Sequence, residues 1–147
     1  MPVSLAQNPG AIGFQNSGLG LIQEYCTNEL YPNMNIKLVE DKISLQELRE
    51  VAKEFYSTMI KGVVDIEKEI AVFGGEYHAD ANEVILKNGS RQSDVWGFNI
   101  YFDKPRESWI EYVSLINIRP QAGNMKMEIQ DKNIRDTMKA ILHSKIE

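Results

Sequence analysis

The feature that most constrains the fold is a pair of apolar hairpins between Val63 and Pro120. In the first hairpin, Val63–Ile66 is followed by a charged turn of three residues and then by Ile70–Phe73, which predicts that Ile66 pairs with Ile70 and Val64 with Val72. In the second, the alternating segment Val95–Phe102 is followed by a polar turn, and Trp109–Ile118 returns. Short apolar runs joined by polar turns are typical of paired antiparallel strands. A sheet built from these hairpins is therefore predicted at the centre of the domain.

A helix is predicted before the first hairpin. Ser44 is suited to cap it, and Glu47 stands three residues later, where its side chain completes a capping box. Apolar residues then recur at helical spacing up to about Ile60, and Gly62 follows as a stop. The pattern predicts a helix near residues 45–60.

Two more helices are predicted later in the chain. Asp80 is suited to cap a short helix near residues 81–88, and Asp131 is suited to cap a last helix near residues 132–146. The element order is then β-α-β-β-α-β-β-α, which favours an α+β domain with a mainly antiparallel five-stranded sheet. The first and last helices are expected to cover one face of the sheet. The strands are predicted near residues 36–40, 63–66, 70–75, 94–102 and 109–118.

Composition excludes several classes of protein. The 147 residues suffice for one domain with a real core, and the net charge of −5 without a cluster of Lys and Arg disfavours nucleic-acid binding. No apolar run is long enough to span a bilayer, so no membrane association is expected. The lone cysteine, Cys26, excludes an internal disulfide and fits a reducing compartment. We therefore predict a cytoplasmic protein.

Residues 1–33 differ from the rest of the chain in composition and in apolar pattern. Gly, Asn, Gln, Ser and Pro interrupt them, and no helical or strand period persists. Because Met34 directly precedes the first predicted strand, one interpretation is that residues 34–147 are the domain and the preceding segment is flexible or lies upstream of the natural start. The alternative, an arm that packs on the domain, stays open.

Glu76 and His78 are the first candidates for chemistry. Two residues apart in an extended segment, their side chains leave the same face and are suited to act as base and orienting partner, or to ligate a metal with Asp65 as a third ligand. However, no H-x-x-x-H, H-E-x-x-H or C-x-x-C pattern is present, so neither a metal nor a cofactor is expected. The alternative is that Glu76 and His78 satisfy backbone groups around Gly74 and Gly75.

Asn99, Asn117 and Arg119 form a second set of candidates. Each asparagine lies between apolar strand residues and needs hydrogen-bond partners if its face is buried. The guanidinium of Arg119 is suited to hold a carboxylate or phosphate in a bidentate manner. The alternative is a solvent-facing side of the sheet, with Arg119 paired to Glu111 or Glu76.

Four spaced segments together resemble a small bacterial family catalogued as a domain of unknown function, family 5674. They are Gly74–Ala81 (GGExHADA), Gly89–Gln92 (GSxQ), Trp96–Asn99 (WGxN) and Ile116–Pro120 (INIRP). The resemblance implies a compact single-domain bacterial protein and implies no activity. The basic run that follows the proline in the family is missing here, which weakens the idea that this loop cradles an anion.

Two functions remain open from the sequence. The first is a binding or regulatory module whose polar patch, near Glu76, His78, Asn99 and Arg119 and with Gln92 contributing from its loop, recognises a small anionic ligand or a partner protein. The alternative is a small hydrolase, with or without a metal, that uses Glu76 and His78 with Asp65. The absence of a visible nucleophile or complete ligand set favours the first.

Overall fold

The structure is a computed structural model that describes residues 34–147, and the expectations for residues 1–33 lie outside the described part. In the described part, one antiparallel sheet has the strand order β1-β3-β2-β4-β5. Its strands are β1 Lys37–Val39, β2 Met59–Asp65, β3 Ile70–Phe73, β4 Val95–Tyr101 and β5 Ile110–Glu111. The helices are α1 Leu45–Ala52, α2 His78–Lys87 and α3 Lys132–Lys145. The predicted α+β class and element order are confirmed.

The sheet separates two apolar layers. On one face, α1 and α3 pack over Trp96, Phe98 and Ile100, which confirms that the first and last helices share a face. On the other face, α2 packs over β2 and β3 and contacts β4, and Leu38 of β1 belongs to the same apolar cluster. Since side chains alternate along a strand, Gly97 and Asn99 of β4 belong to the α2 face. Among residues 34–147, no helix has the length and apolar character needed to cross a membrane.

The first helix is shorter than predicted. It ends at Ala52 rather than near Ile60, and β2 begins at Met59, so Gly62 lies inside a strand instead of ending the helix. Ile60 pairs with Ile100 of β4 in the antiparallel register. By their apolar spacing, residues 59 and 60 are compatible with the end of a helix or with the start of a strand. Their pairing with the long strand β4 makes them part of β2.

The first hairpin has a different register from the predicted one. Ile70 pairs with Asp65 rather than with Ile66, and the connecting turn is one residue longer. Asp65 Oδ1 accepts hydrogen bonds from the backbone N–H groups of Glu67 and Lys68, both at 2.9 Å. This carboxylate closes the turn and thereby sets the register, because the Asp65 side chain replaces backbone partners at the end of the strand.

The second helix begins earlier than predicted, and Asp80 is not its N-cap. The helix starts at His78, and Asp80 lies in its first turn, where Oδ2 accepts from the N–H groups of Glu76 at 3.0 Å and Tyr77 at 2.9 Å. The chain enters through Gly75 at a φ of 96°, where a Cβ atom would lie 2.8 Å from Cβ of Asp80. The carboxylate therefore stabilises the bend that precedes the helix.

The last predicted strand, residues 109–118, is mostly not a strand. Only Ile110–Glu111 pairs with β4, and the chain then forms single 3₁₀ turns at Leu115–Asn117 and Pro120–Ala122. Ser114 begins the first of these turns, its Oγ accepting from the N–H of Ile116 at 3.2 Å. The segment leaves the sheet edge and crosses the α2 face.

Candidate functional site

A groove on the α2 face brings together three polar residues. It has a volume of about 500 Å³ and lies between the start of α2 and the segment Val113–Ile116, above β2 and β4. Its polar lining includes Lys61, His78 and Asn99. The walls are mostly apolar. We call this cavity the α2 groove, and it is lined by Lys61, Tyr77, His78, Ala79, Asn99, Val113, Ser114, Leu115, Ile116 and Met127.

Lys61 and Asn99 are direct cross-strand partners, and Asn99 in turn pairs with Glu111 of β5. Opposed residues in an antiparallel sheet share a face, so the three side chains form a row across it. The Lys61 ammonium lies 5.4 Å from the centroid of the Tyr56 ring and makes no ion pair within residues 34–147. The row thus begins with a cation that no residue of the described part of the chain neutralises in an ion pair.

The carboxamide of Asn99 has a fixed orientation. Its Nδ2 donates to Glu111 Oε1 at 2.8 Å and, more weakly, to the Val113 carbonyl at 3.4 Å. The hydroxyl of Tyr101 donates to the same Glu111 oxygen at 3.1 Å, which holds the carboxylate in place. Asn99 is only 5% exposed, and its Oδ1 is buried with no hydrogen-bond partner in the described part of the chain.

His78 is a neutral, oriented imidazole. Its Nε2 lies 2.9 Å from the Phe98 carbonyl, and because a carbonyl only accepts, Nε2 carries the proton. Burial lowers the pKa of His78 and the charge of Lys61 lowers it further, against opposing effects of the Phe98 carbonyl, Asn99 and Glu111. At neutral pH, Nδ1 is therefore a hydrogen-bond acceptor, and the Asn99 side chain is close enough to the ring to affect its pKa by hydrogen bonding.

Asp65 is not brought together with Glu76 and His78. It is fully buried, and beside the turn amides it accepts a hydrogen bond from Ser90 Oγ at 2.6 Å. Asp65 pairs with Val95, three residues along β4 from the carbonyl that holds His78, so the two sites are about 10 Å apart along the strand. No three His, Cys, Asp or Glu side chains within the described residues are grouped so that they could hold a metal ion.

Glu76 lies outside the α2 groove. Its side chain is exposed, while its backbone carbonyl accepts from the Tyr56 hydroxyl at 2.7 Å and its N–H donates to Asp80. The expectation that Glu76 and His78 leave one extended face is wrong, because His78 is already the first residue of α2. The pair does not converge on a common point in the groove.

Asn117 and Arg119 hold the crossing segment on β4. Asn117 accepts from the Gly97 N–H at 2.8 Å and donates to the Gly97 carbonyl at 3.1 Å. The guanidinium of Arg119 donates to the carbonyls of Val95 and Ile116 and lies 4.2 Å from the centroid of the Trp96 ring. Burial lowers the pKa of Arg119. The alternative pairing of Arg119 with Glu111 or Glu76 is therefore wrong.

Gln92 and Arg119 line a second cavity, of about 630 Å³, which shares Ile116 with the α2 groove. The amides of Gln92 and Asn82 bond to each other at 2.8 and 3.2 Å. The single polar patch expected from the sequence is thus divided. The α2 groove contains His78 and Asn99, the second cavity contains Gln92 and Arg119, and Glu76 lines neither.

A known protein family matches this chain. The family described as "Protein of unknown function (DUF5674)" matches residues 37–145, most of the chain. The chain belongs to DUF5674. No curated protein and no solved structure matches it. The family resemblance noted from the sequence is confirmed, and the family description carries no activity.

In this DUF5674 chain, sequence reasoning missed Lys61. The predicted first helix ran to Ile60, which hid the strand that carries Lys61 toward the groove. A strand beginning at Met59 would have placed Lys61 on the same face as Val63 and Asp65, since alternate residues share a face. Leu115 and Met127 were also missed. They line the groove from segments outside the strands and α-helices, where no apolar periodicity indicates which side chains are buried.

Proposed function

We propose that this protein is a binding module that takes a small ligand with an anionic head and an apolar body in the α2 groove. The observation that carries the proposal is Lys61, a cation that no residue of 34–147 binds in an ion pair and that lines a mostly apolar cavity. Small-molecule sites combine mostly apolar walls with a few converging polar groups, in cavities of roughly 300–1,000 Å³. The α2 groove, at about 500 Å³, has this character.

Two features favour an anion as the head group. Lys61 supplies a positive charge that no described residue neutralises in an ion pair. The ten-residue helix α2 begins at the groove with His78, and the positive end of its dipole adds to the field. Asp80 partly offsets this field, but its carboxylate is already bound by the two amides that precede the helix.

The apolar walls favour a hydrophobic body on the ligand. Leu115 is 71% exposed and Met127 is 41% exposed, and together with Val113 and Ile116 they form one side of the groove. Covering such side chains is favourable by about 25 cal/mol for each Å² of apolar surface removed from water. A ligand that combines a charged head with an aliphatic body would bind both halves of the groove.

The hydrolase considered from the sequence has less support. Asp65 lies about 10 Å along the strand from the carbonyl that holds His78 and is bound by its own turn, and Glu76 lies outside the groove. A general base requires a second group that activates or stabilises the reacting atom. His78 alone supplies an acceptor, which is sufficient for recognition.

The test is a titration of isotope-labelled protein with 4-methylpentanoate, followed by NMR shifts. We expect shifts centred on Lys61, His78 and Leu115, with weaker or no binding of the neutral 4-methylpentanamide. Lys61→Met should weaken binding of the acid by about tenfold, the usual size of a charge-assisted hydrogen bond. The control is Lys87→Met, which removes an exposed lysine at the far end of α2. Equal binding of the amide, or no effect of Lys61→Met, would refute the proposal.

A further inference from the structure

We propose that the ligand of the α2 groove is an apolar α-amino acid, whose ammonium group is read by Asn99 while its carboxylate binds Lys61. The inference rests on the proposed function and specifies the ligand further. It follows from the polar atoms of the groove that are not yet engaged in hydrogen bonds within residues 34–147. Lys61 favours a negative charge on the ligand, whereas Asn99 and His78 offer acceptors and therefore favour a hydrogen-bond donor.

Asn99 can offer a ligand only an acceptor. Both contacts of its Nδ2 are to acceptors, the Glu111 carboxylate and the Val113 carbonyl, so the amide cannot be reversed without losing both bonds. Its Oδ1 is left as a buried oxygen without a partner in the part of the chain that is described. A buried carbonyl oxygen without a donor is unfavourable, so a ligand that supplies one gains affinity there.

His78 adds a second acceptor beside the first. Its Nε2 is engaged by the Phe98 carbonyl, which leaves Nδ1 with a lone pair on a ring that lines the groove. A plain carboxylate has no hydrogen to donate to either group. An ammonium group has three, and it is therefore suited to a site where Asn99 and His78 both accept.

The order of charges across the sheet matches a zwitterion. Lys61, Asn99 and Glu111 lie side by side on three neighbouring strands, so a cation, a neutral acceptor and an anion follow one another. A carboxylate near Lys61 places an adjacent ammonium over Asn99, on the side of Glu111. Opposite charges at the two ends of the row favour this direction over the reverse.

Entry of the ammonium group requires a small rearrangement. Oδ1 of Asn99 is covered by neighbouring atoms, although the side chain itself lines the groove. The ligand donor replaces that cover, while the bonds from Asn99 to Glu111 and from Tyr101 to Glu111 keep the amide in place. Glu111 is in this account a positioning residue.

The experiment compares three acids that differ only at the carbon beside the carboxylate. They are L-leucine, the 2-hydroxy acid 2-hydroxy-4-methylpentanoate, and 4-methylpentanoate, each titrated into the full-length protein at pH 7.5 and followed by NMR. We expect leucine to bind at least tenfold more tightly than 4-methylpentanoate, with the hydroxy acid between them. Equal or tighter binding of 4-methylpentanoate overturns the inference and leaves the proposed function standing. Tighter binding of the hydroxy acid than of leucine overturns the ammonium assignment.

Variants test which residues recognise the ammonium group of the ligand. Asn99→Ala should reduce the ratio of leucine to 4-methylpentanoate affinity to about one, and Glu111→Gln, which keeps the size of the side chain, should reduce it several-fold. Gln121→Ala, in the second cavity, should leave the ratio unchanged. An unchanged ratio in a folded Glu111→Gln protein overturns the inference. If none of the three acids binds, both this inference and the proposed function fail.

Discussion

At the scale of the residue, the side chain of Asn117 makes the two hydrogen bonds to the Gly97 backbone that a neighbouring strand would otherwise make. Its Oδ1 accepts from the Gly97 N–H, and its Nδ2 donates to the carbonyls of Gly97 and Met127 at 3.1 and 3.2 Å. A Cβ atom at Gly97 would lie 2.7 Å from Cβ of Ser114, so glycine is needed for this close approach. The asparagine thereby holds one wall of the α2 groove on the sheet.

Replacing Asn117 by alanine should destabilise the domain by roughly 2–4 kcal/mol. The side chain is fully buried, and its loss leaves the N–H and the carbonyl of Gly97 unpaired at about 1–3 kcal/mol each, while the Met127 carbonyl keeps its bond from the Ser114 N–H. Urea unfolding at pH 7.5 measures the change. Gln92→Ala, in an exposed amide pair, is the control and should cost about 0.5 kcal/mol or less. A loss no larger than that of the control would show that the carboxamide is not needed for stability.

At the scale of the element, α3 is bound to the rest of the domain by its buried face and by its C-terminal end. Met138, Ile141 and Leu142 are buried against the sheet. Beyond the helix, the backbone of Ile43 donates to the Lys145 carbonyl at 2.8 Å and accepts from the N–H of Glu147 at 3.0 Å. The last residues are therefore held by backbone hydrogen bonds next to the start of α1, in addition to the apolar packing of α3 on the sheet.

Removing the residues after Asp131 should abolish cooperative unfolding. Without α3, the α1 side of the sheet exposes Trp96, Phe98 and Ile100, a loss too large for a domain of this size to tolerate. Circular dichroism during urea unfolding tests this. The matched variant Leu142→Ala should stay cooperative while losing about 2–5 kcal/mol, since it removes only one core side chain. A cooperative transition in the truncated protein would contradict the expectation.

At the scale of the whole molecule, the two histidines lie on opposite faces of the sheet and respond alike to pH. His143 Nε2 accepts from the Trp109 indole at 3.3 Å, which requires the neutral form. Burial lowers the pKa of His143 below its usual value of 6.5, and the charges of Arg106 and Lys139 lower it further. The pKa of His78 is lowered as well, again mainly by burial.

The free energy of unfolding should therefore fall as the pH drops through about 6.5. Both histidines bind protons more weakly in the folded state, so below pH 6.5 the unfolded chain takes up more protons and is favoured. Above about pH 7.5 their contribution is fully present. Urea unfolding between pH 5.5 and 7.5 measures the slope, which His78→Gln and His143→Asn should each reduce. An unchanged slope in the double variant would exclude the histidines as its cause.

Apolar periodicity alone determined the class of the fold. Alternation between Val95 and Phe102 and the helical stripe that ends in Leu142 are local signals, and they were sufficient for the α+β class, the element order and the shared face of the outer helices. Local signals fix which face of an element is apolar, because the repeat of the backbone fixes where each side chain points.

Only the tertiary structure decided the border of β2, the register of the first hairpin and the composition of the site. Lys61 and Asn99 are far apart in sequence and meet because β2 and β4 pair along their whole length. Glu76 and His78, close in sequence, separate because a helix begins between them. Cross-strand pairing depends on hydrogen bonds between distant segments, and a shift of one residue turns every side chain to the other face, so no local pattern contains this information.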